Sequence, residues 1–121
     1  MDEIFTSFKK SLERMEEILR AEKSIANRDS AIKRFELTVE LAWKSIQRFL
    51  KDQKIVCRSP KECLREAFTF GIIVNEDIWL KMMDDRNESV HTYNESFAED
   101  LYIRLPQYTK PLKELIKKLR V

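Results

Sequence analysis

Glycine, proline, cysteine and histidine are scarce in this chain. Its 121 residues include one glycine, three prolines, two cysteines and one histidine. So little glycine and proline is typical of a protein built from long helices with short connections. Cys57 and Cys63 are too few and too poorly patterned to predict a disulfide framework or a zinc site.

Long apolar runs and a strong net charge are missing as well. No stretch approaches the roughly 20 apolar residues that a membrane-spanning helix needs, and residues 1–4 lack the basic start of a signal peptide. We therefore expect a cytoplasmic protein with no membrane partner. The net charge is +2, from 23 basic and 21 acidic residues, so RNA could be attracted only by a local cluster of cations.

Apolar residues at helical spacing occur throughout the sequence. The chain is 43% hydrophobic and 36% charged, and no segment shows the two-residue alternation of a strand. Its length fits one domain over residues 1–121. We predict an all-α fold, an up-and-down bundle of about five helices.

The first two helices are predicted from apolar periodicity and capping residues. Helix one should span about residues 2–22. A longer second helix should follow capping candidates at Asn27, Asp29 and Ser30. In helix two, Leu37 and Leu41 fall nearly opposite the main apolar face, which indicates packing on both sides, for example in a dimer.

Capping patterns also predict the later helices. The segment Ser59-Pro60-Lys61-Glu62 is typical of a capping box at the start of helix three, and Gly71 is placed to end that helix. Asn75 and Asn94 are predicted caps for helices four and five. Two prolines, Pro106 and Pro111, are predicted to kink or divide helix five.

The most informative stretch is Arg86-Asn87-Glu88-Ser89-Val90-His91-Thr92-Tyr93, which contains the single histidine. Asn87 lies one helical turn from His91, so the two would share a face. The apolar stripe leading into them consists of Trp79, Met83 and Val90. Asn87 and His91 occupy places on that stripe where a core would have aliphatic residues. Buried polar groups cost free energy unless they find partners, which indicates a functional site.

This stretch resembles the Arg-x4-His-x-Tyr signature of HepT proteins, in the HEPN superfamily of small helical nucleases and nucleotide-binding domains. Further segments follow the order seen in the branch of nucleotidyltransferase substrate-binding proteins: Arg34 to Leu37, Glu40 to Lys44, Ser59 to Glu62, Glu66-Ala67, Gly71 to Ile73, and Trp79. The resemblance covers roughly residues 28–112. It implies a homodimer whose pocket forms where two protomers meet.

The resemblance also implies a metal-independent ribonuclease with no cofactor. Its reaction needs a base for the RNA 2′-hydroxyl, an acid for the leaving oxygen and a cation for the developing charge. His91 would be the base or acid, since imidazole exchanges protons near neutral pH. Arg86 would bind phosphate oxygens, and Asn87 would orient the imidazole or bind phosphate. A histidine acid and a histidine base together would require two chains.

One geometric question concerns Arg86 and His91. Five residues apart, they lie about 140° around an ideal helix. A shared site would need the long arginine side chain, or a helix that ends near His91. The alternative for Arg86 is an ordinary surface pair with one of its acidic neighbours, Asp84, Asp85 or Glu88.

Tyr93 and two residues of helix two complete the predicted site. The resemblance implies that Tyr93 receives AMP from a partner, a minimal nucleotidyltransferase that acts as antitoxin. The added anion would keep phosphate out of the site. This chain lacks the Gly-Ser and paired aspartates of a nucleotidyltransferase, so a separate protein must transfer the nucleotide. Glu40 and Lys44 have the spacing of a surface pair and are candidates to line the groove.

Three functions remain open from the sequence. The first is the toxin of a toxin–antitoxin pair, a ribonuclease silenced by AMPylation of Tyr93. The second is a non-catalytic subunit that binds a substrate or nucleotide for a two-component nucleotidyltransferase. The third is a helical adaptor, which the polar residues on the stripe disfavour. A carboxy-terminal basic cluster is interpreted as a solvated helix end: Lys110, Lys113, Lys117, Lys118 and Arg120.

Overall fold

The computed structural model describes residues 2–92 and 94–120. The helices are α1 (Glu3–Arg20), α2 (Ile25–Asp52), α3 (Pro60–Phe70), α4 (Glu76–His91) and α5 (Glu95–Leu119). No strand occurs in these two ranges, and the predicted all-α fold of five helices is confirmed. Within the same ranges, no helix is both long and apolar enough to cross a membrane.

Several helices begin and end where local sequence predicted. The Ser59 hydroxyl accepts a hydrogen bond from the Glu62 N–H at 3.2 Å, and Pro60 occupies the first turn of α3. Gly71 ends α3 with φ of 102°, a left-handed conformation that glycine adopts without a steric penalty. Asn75 and Asn94 cap α4 and α5 through their side-chain oxygens.

The start of α2 differs from the prediction. Ser24 caps the helix by accepting a hydrogen bond from the Asn27 N–H at 3.0 Å, and α2 begins at Ile25. The predicted caps Asn27, Asp29 and Ser30 lie inside α2 instead. The Asn27 side chain donates backwards to the Glu22 carbonyl at 2.7 Å, which adds a second link across the turn. With several capping residue types in one short segment, the sequence alone selected the wrong position.

Of the two predicted effects of the prolines on α5, a kink or a division, the division is wrong. The helix runs from Glu95 to Leu119 with Pro106 and Pro111 inside it. Buried side chains occur on both sides of each proline, and Pro111 is itself buried: the buried set includes Leu101, Leu105, Tyr108, Leu112 and Leu115. Each of the two prolines lacks an N–H, so the helix loses two backbone hydrogen bonds. The packing of one helix face in the core outweighs this loss.

Helix α2 is the central element of the bundle. It packs against α1, α3, α4 and α5. Its fully buried Phe35 ring stacks on Tyr108 of α5, with centroids 5.6 Å apart. A buried hydrogen bond of 2.6 Å joins Ser11 of α1 to Thr38 of α2, so this polar pair in the interior is satisfied.

Two ionic clusters fix α5 against its neighbours. The buried Arg28 of α2 contacts three carboxylates, those of Asp29, Glu95 and Glu99. The hydrogen bonds that Arg28 donates to Glu95 and Glu99 raise the pKa of its guanidinium above the usual value. Arg28 thus attaches the first turns of α5 to the beginning of α2. The second cluster joins α4 to α5 through Asp85.

A disulfide joins Cys57, in the loop after α2, to Cys63 in α3. Their Cα atoms lie 5.1 Å apart, within the usual range for a disulfide. No disulfide framework was predicted from the sequence, and this single bond was not foreseen. The capping box at Ser59 lies between the two cysteines, where the loop leads into α3. The Gln47 amide also donates to the Cys57 carbonyl at 2.9 Å, which ties the loop to α2.

Candidate functional site

Arg86 lies between α4 and α2, where its guanidinium has three different environments. Nη2 lies 3.1 Å from the Oε2 atom of Glu40, and Nη1 donates to Oδ1 of Asn87 at 3.2 Å. The buried Nε has no hydrogen-bond partner among the described residues. Nor does Arg86 pair with Asp84, Asp85 or Glu88 anywhere in ranges 2–92 and 94–120. It contacts the neighbouring helix instead of forming a local surface pair.

Glu40 connects Arg86 to two further side chains of α2. It accepts a hydrogen bond from Trp43 Nε1 at 3.0 Å, and the Lys44 ammonium lies 3.3 Å away. Burial alone would raise the pKa of the Glu40 carboxyl. The Trp43 hydrogen bond and the two nearby cations outweigh burial, so its pKa lies below the usual value. Glu40 is therefore a carboxylate at neutral pH and a fixed anionic partner for Arg86.

An open groove lies beside this pair and has a volume of about 620 Å³. We name it the α2/α4 groove. Its lining consists of Ile18, Ser30, Lys33, Arg34, Glu36, Leu37, Glu40, Arg86 and Val90. Two apolar side chains at the groove are exposed to solvent, Leu37 at 44% and Val90 at 48%. Cationic side chains beside apolar walls suit a ligand that carries both phosphate and a flat apolar part.

Helix α4 ends at His91, which is one of the two conditions that the sequence set for a shared site, but His91 itself is exposed and not buried as predicted. Helix α4 continues through His91, and Thr92 caps it by donating its N–H to the Glu88 carbonyl at 2.8 Å. His91 is exposed and does not line the α2/α4 groove. The helix stays regular between Arg86 and His91, so about 140° separates them around its axis. One chain does not bring the two side chains together.

The predicted buried stripe on α4 is correct only at its beginning. Trp79 and Met83 are buried, Asn87 is half-buried, and Val90 and His91 are exposed. In the last turn the buried side of α4 is the one that carries Ser89, so Val90 and His91 face away from the core. The expectation of a buried His91 is therefore wrong, and burial no longer argues against a structural adaptor.

Ser89 is a buried site residue that the sequence analysis did not single out. Its hydroxyl donates to a carboxylate oxygen of Glu36 on α2. The two residues also line a smaller cavity of about 330 Å³ beside the α2/α4 groove. A signal was present, because Ser89 follows Arg86 by three positions and so lies on nearly the same side of α4.

The remaining predicted residues fall in different places. Lys44 contacts Glu40 but lines a separate groove further along α2. Tyr93 lies outside the described residues. Its chain neighbours are described: Thr92 caps the end of α4 and Asn94 caps the start of α5.

Residues 3–121 match the family described as nucleotidyltransferase substrate binding protein like. The chain belongs to this family. Among curated proteins, this family member is 32% identical over 95 residues to the probable ribonuclease HepT of Haemophilus influenzae. The match covers 74% of the chain but only 65% of that relative's length. The resemblance to HepT proteins is thereby confirmed.

Solved structures share the fold of this substrate-binding-like protein. A Thermus thermophilus protein superposes with a TM-score of 0.87 at 36% identity, covering 94% of this chain and 99% of its own. A Haemophilus influenzae protein, described as having the fold of a substrate-binding domain of a nucleotidyltransferase, gives 0.73 at 26%, covering 98% and 95%.

A third structure is a tri-AMPylated HEPN toxin of Shewanella oneidensis in complex with its MNT antitoxin. It gives a TM-score of 0.80 over 99% of this chain and 98% of its own. Its 17% identity limits the comparison to the fold. The same five-helix bundle thus occurs in a toxin and in a substrate-binding domain.

Proposed function

We propose that this chain is the cytoplasmic toxin of a HEPN/minimal-nucleotidyltransferase toxin–antitoxin pair, a homodimer that cleaves RNA without a metal ion. The observation that carries the proposal is Arg86, held by Glu40 and Asn87 at the wall of an open groove. The relationship to a probable ribonuclease supports it. So does the shared fold of a HEPN toxin bound to an MNT antitoxin.

The proposed reaction uses the RNA's own hydroxyl as nucleophile. A base removes the 2′-hydroxyl proton, the oxygen bonds to the adjacent phosphorus, and the 5′-oxygen leaves with a proton from an acid. The products are a cyclic 2′,3′-phosphate and a 5′-hydroxyl. Arg86 would bind the non-bridging oxygens as charge develops on them. The exposed His91 would exchange the protons, and Asn87 would keep the guanidinium in place.

A second copy of the chain would complete this site. One chain separates Arg86 from His91, so we propose that the His91 of one protomer approaches the Arg86 of the other. The exposed Leu37 and Val90 supply apolar area for such an interface at the α2/α4 groove. A dimer across this face would cover both residues and bring two arginine–histidine sets together.

The dimer can be tested by placing charge on this face. Leu37→Glu combined with Val90→Glu is expected to shift the protein to monomer in analytical ultracentrifugation, because it buries like charges at the interface. Ile103→Glu, at an α5 residue that is 73% exposed, is the matched control and should leave the dimer intact. A dimer in both variants would contradict the proposed interface.

We also propose that the partner nucleotidyltransferase silences the enzyme by AMPylating Tyr93. The α4 end and the α5 start on either side of this residue are attached to α2, through Ser89 and through the Arg28 cluster. An AMP group next to this position would carry negative charge towards the phosphate-binding residues. Incubation with the partner and ATP should add the mass of AMP to the wild type and stop cleavage. Tyr93→Phe should stay unmodified and active.

The decisive experiment is RNA cleavage in the presence of EDTA by protein shown by intact mass to be unmodified. His91→Ala should reduce the cleavage rate by about 100-fold or more, because general acid–base catalysis contributes that much. Since His91 is exposed, the variant should keep the thermal stability of the wild type. Intact RNA after incubation with unmodified wild-type dimer would contradict the proposal.

A binding subunit without catalysis is the second candidate. The observation that favours it is the size of the α2/α4 groove, about 620 Å³, which lies within the usual range for small-molecule sites. Lys33, Arg34 and Arg86 would contact a nucleotide's phosphates. Saturable nucleotide binding that Arg34→Gln weakens, together with intact RNA, would favour this function over the ribonuclease.

A further inference from the structure

A second groove follows α2 beyond Glu40 and carries only positive charge. We name it the basic groove; its polar lining consists of Lys44, Gln47, Arg48, Lys51 and Arg58. Its volume is about 570 Å³, and the rest of its described lining is apolar. Four cations therefore surround a concave surface without one carboxylate among its described lining, in a protein whose net charge is only +2.

The cations of the basic groove form a row. Lys44, Arg48 and Lys51 are spaced by four and three residues, so they lie on one side of α2 on successive turns. The row extends about 10 Å along the helix, since each residue rises about 1.5 Å. Arg58 joins it from the loop that the disulfide ties to α3. A row of this kind matches a charged chain better than a single small anion.

Ordinary structural roles account for only part of this charge, chiefly at Lys44, which pairs with Glu40. The negative end of the helix dipole would favour Lys51, in the last turn, but not Lys44 or Arg48. Arg48 approaches Asp2 only at 4.0 Å. Lys51 and Arg58 form no ion pair with any described residue. These cations lie within about one Debye length of each other, so their potentials add and attract a polyanion.

The basic groove is continuous with the candidate site. Lys44 lies 3.3 Å from Glu40, and Glu40 lies 3.1 Å from Arg86. Lys44 of the basic groove and Arg86 of the α2/α4 groove thus contact the same carboxylate, and the two grooves are adjacent along α2. The geometry points to the basic groove as a binding site for the sugar–phosphate backbone of single-stranded RNA, which it leads to Arg86. This inference rests on the proposed ribonuclease function and identifies how its substrate is held.

Binding can be measured separately from cleavage. The probe is a short fluorescein-labelled RNA with every 2′-hydroxyl methylated, which the proposed reaction cannot cleave. Fluorescence anisotropy with full-length dimer is recorded over a series of potassium chloride concentrations. The test variant is Arg48→Gln/Lys51→Gln/Arg58→Gln, and all three side chains are exposed. The matched control removes three α5 cations in Lys110→Gln/Lys117→Gln/Lys118→Gln.

We expect the test variant to bind at least about tenfold more weakly, with the slope of log K against log salt reduced by about 2 for three lost phosphate contacts. The α5 control should bind within about twofold of the wild type. Equal losses in both variants would overturn the inference, because net charge alone would then explain binding. Normal RNA binding with lost binding of the nucleotidyltransferase would also overturn it and make the groove a protein-docking surface.

The two proposals fail in different ways. If the methylated RNA binds through the basic groove but unmodified RNA stays intact, the ribonuclease proposal fails and the binding site stands. If the test variant binds and cleaves RNA as the wild type does, the inference about the groove fails and the ribonuclease stands. Circular dichroism of each variant establishes that the helices are intact in both comparisons.

Discussion

Asp85 and Arg86 are neighbours on α4, yet they contact different helices in different ways. Both carboxylate oxygens of Asp85 accept hydrogen bonds from Arg104 of α5, at 2.9 Å each, and one also accepts from the Tyr108 hydroxyl. Arg86 turns to α2 and meets Glu40, while its Nε has no partner among the described residues. The Asp85 cluster is closed within the chain, whereas Arg86 lies at the wall of an open groove.

This difference separates a structural cluster from a candidate site. The Asp85 cluster is closed, and burial together with the Asp85 hydrogen bond raises the pKa of Tyr108 well above its usual value. The Asp85 hydrogen bond also raises the pKa of Arg104. Arg86 lies at an open surface where a ligand can still add contacts. A charged residue that its own chain leaves incompletely bonded is the better candidate for binding.

Replacing Arg86 should have the largest effect, and the effect should fall on activity. Arg86→Ala is expected to slow RNA cleavage by about 100- to 1,000-fold, since one lost transition-state donor typically costs that much. The free energy of unfolding should change by less than about 1 kcal/mol, because Glu40 keeps its bonds to Trp43 and Lys44. Arg86→Lys should recover little of the lost activity, since lysine lacks the planar guanidinium with its fork of N–H donors. If Arg86→Ala cleaved RNA at the normal rate, Arg86 would be no better a candidate for a functional site than the Asp85 cluster.

Replacing Asp85 should give the opposite result, a loss of stability. Asp85→Asn is expected to lower the free energy of unfolding by about 3 kcal/mol, because Arg104 and Tyr108 lose a charged acceptor. Urea titration measures this change. The control is Asp84→Asn at the exposed neighbouring carboxylate, which should stay within about 0.5 kcal/mol of the wild type. Similar stability in both variants would show that the Asp85 cluster contributes little.

A smaller effect is expected at Tyr108, and it depends on pH. The raised pKa means that the folded state holds the phenol proton more tightly than the unfolded state. Its stabilisation is complete below the ordinary tyrosine pKa of about 10 and is lost as pH rises through the folded value. Tyr108→Phe should cost about 1 kcal/mol at neutral pH and flatten the alkaline decline in urea titrations. Parallel declines in the two proteins would contradict this.

The smallest effect concerns Glu40 in acid. Its lowered pKa means that its stabilisation is present above the usual value near 4.5 and is lost as pH falls through the folded value. The difference in unfolding free energy between wild type and Glu40→Gln should be less than about 1 kcal/mol at neutral pH and shrink towards pH 3. Glu13→Gln, at an exposed carboxylate of α1, serves as the control. If this difference in unfolding free energy grew as the pH fell, folding would raise the pKa of Glu40 and not lower it.

Local signals in the sequence predicted much of the fold. Caps such as Ser59, Asn75 and Asn94 act within one turn of the chain, so their residue types identify the helix starts. Where several capping types crowd together, as from Ser24 to Ser30, that local signal is ambiguous. The continuity of α5 through Pro106 was not predictable either, because it depends on packing against distant helices.

The candidate site was less predictable from the sequence for the same reason, because it depends on contacts between distant parts of the chain. Arg86 and Asn87 were each identified as candidate site residues from the signature, but their contact with each other was not predicted. The Arg86–Glu40 and Ser89–Glu36 contacts join α4 to α2 across about fifty residues, and no periodicity encodes them. The exposure of His91 likewise depends on which side of α4 the neighbouring helices cover. The role of Tyr93 stays a prediction.

The central place of α2 has a consequence for how the chain folds. Because α2 packs on all four other helices, a transition state with α2 partly docked would already contain the beginnings of every interface. Truncations of its core residues, such as Val39→Ala, should therefore slow folding more than they speed unfolding. The helix that bears both grooves would then also be the one around which the chain first becomes ordered.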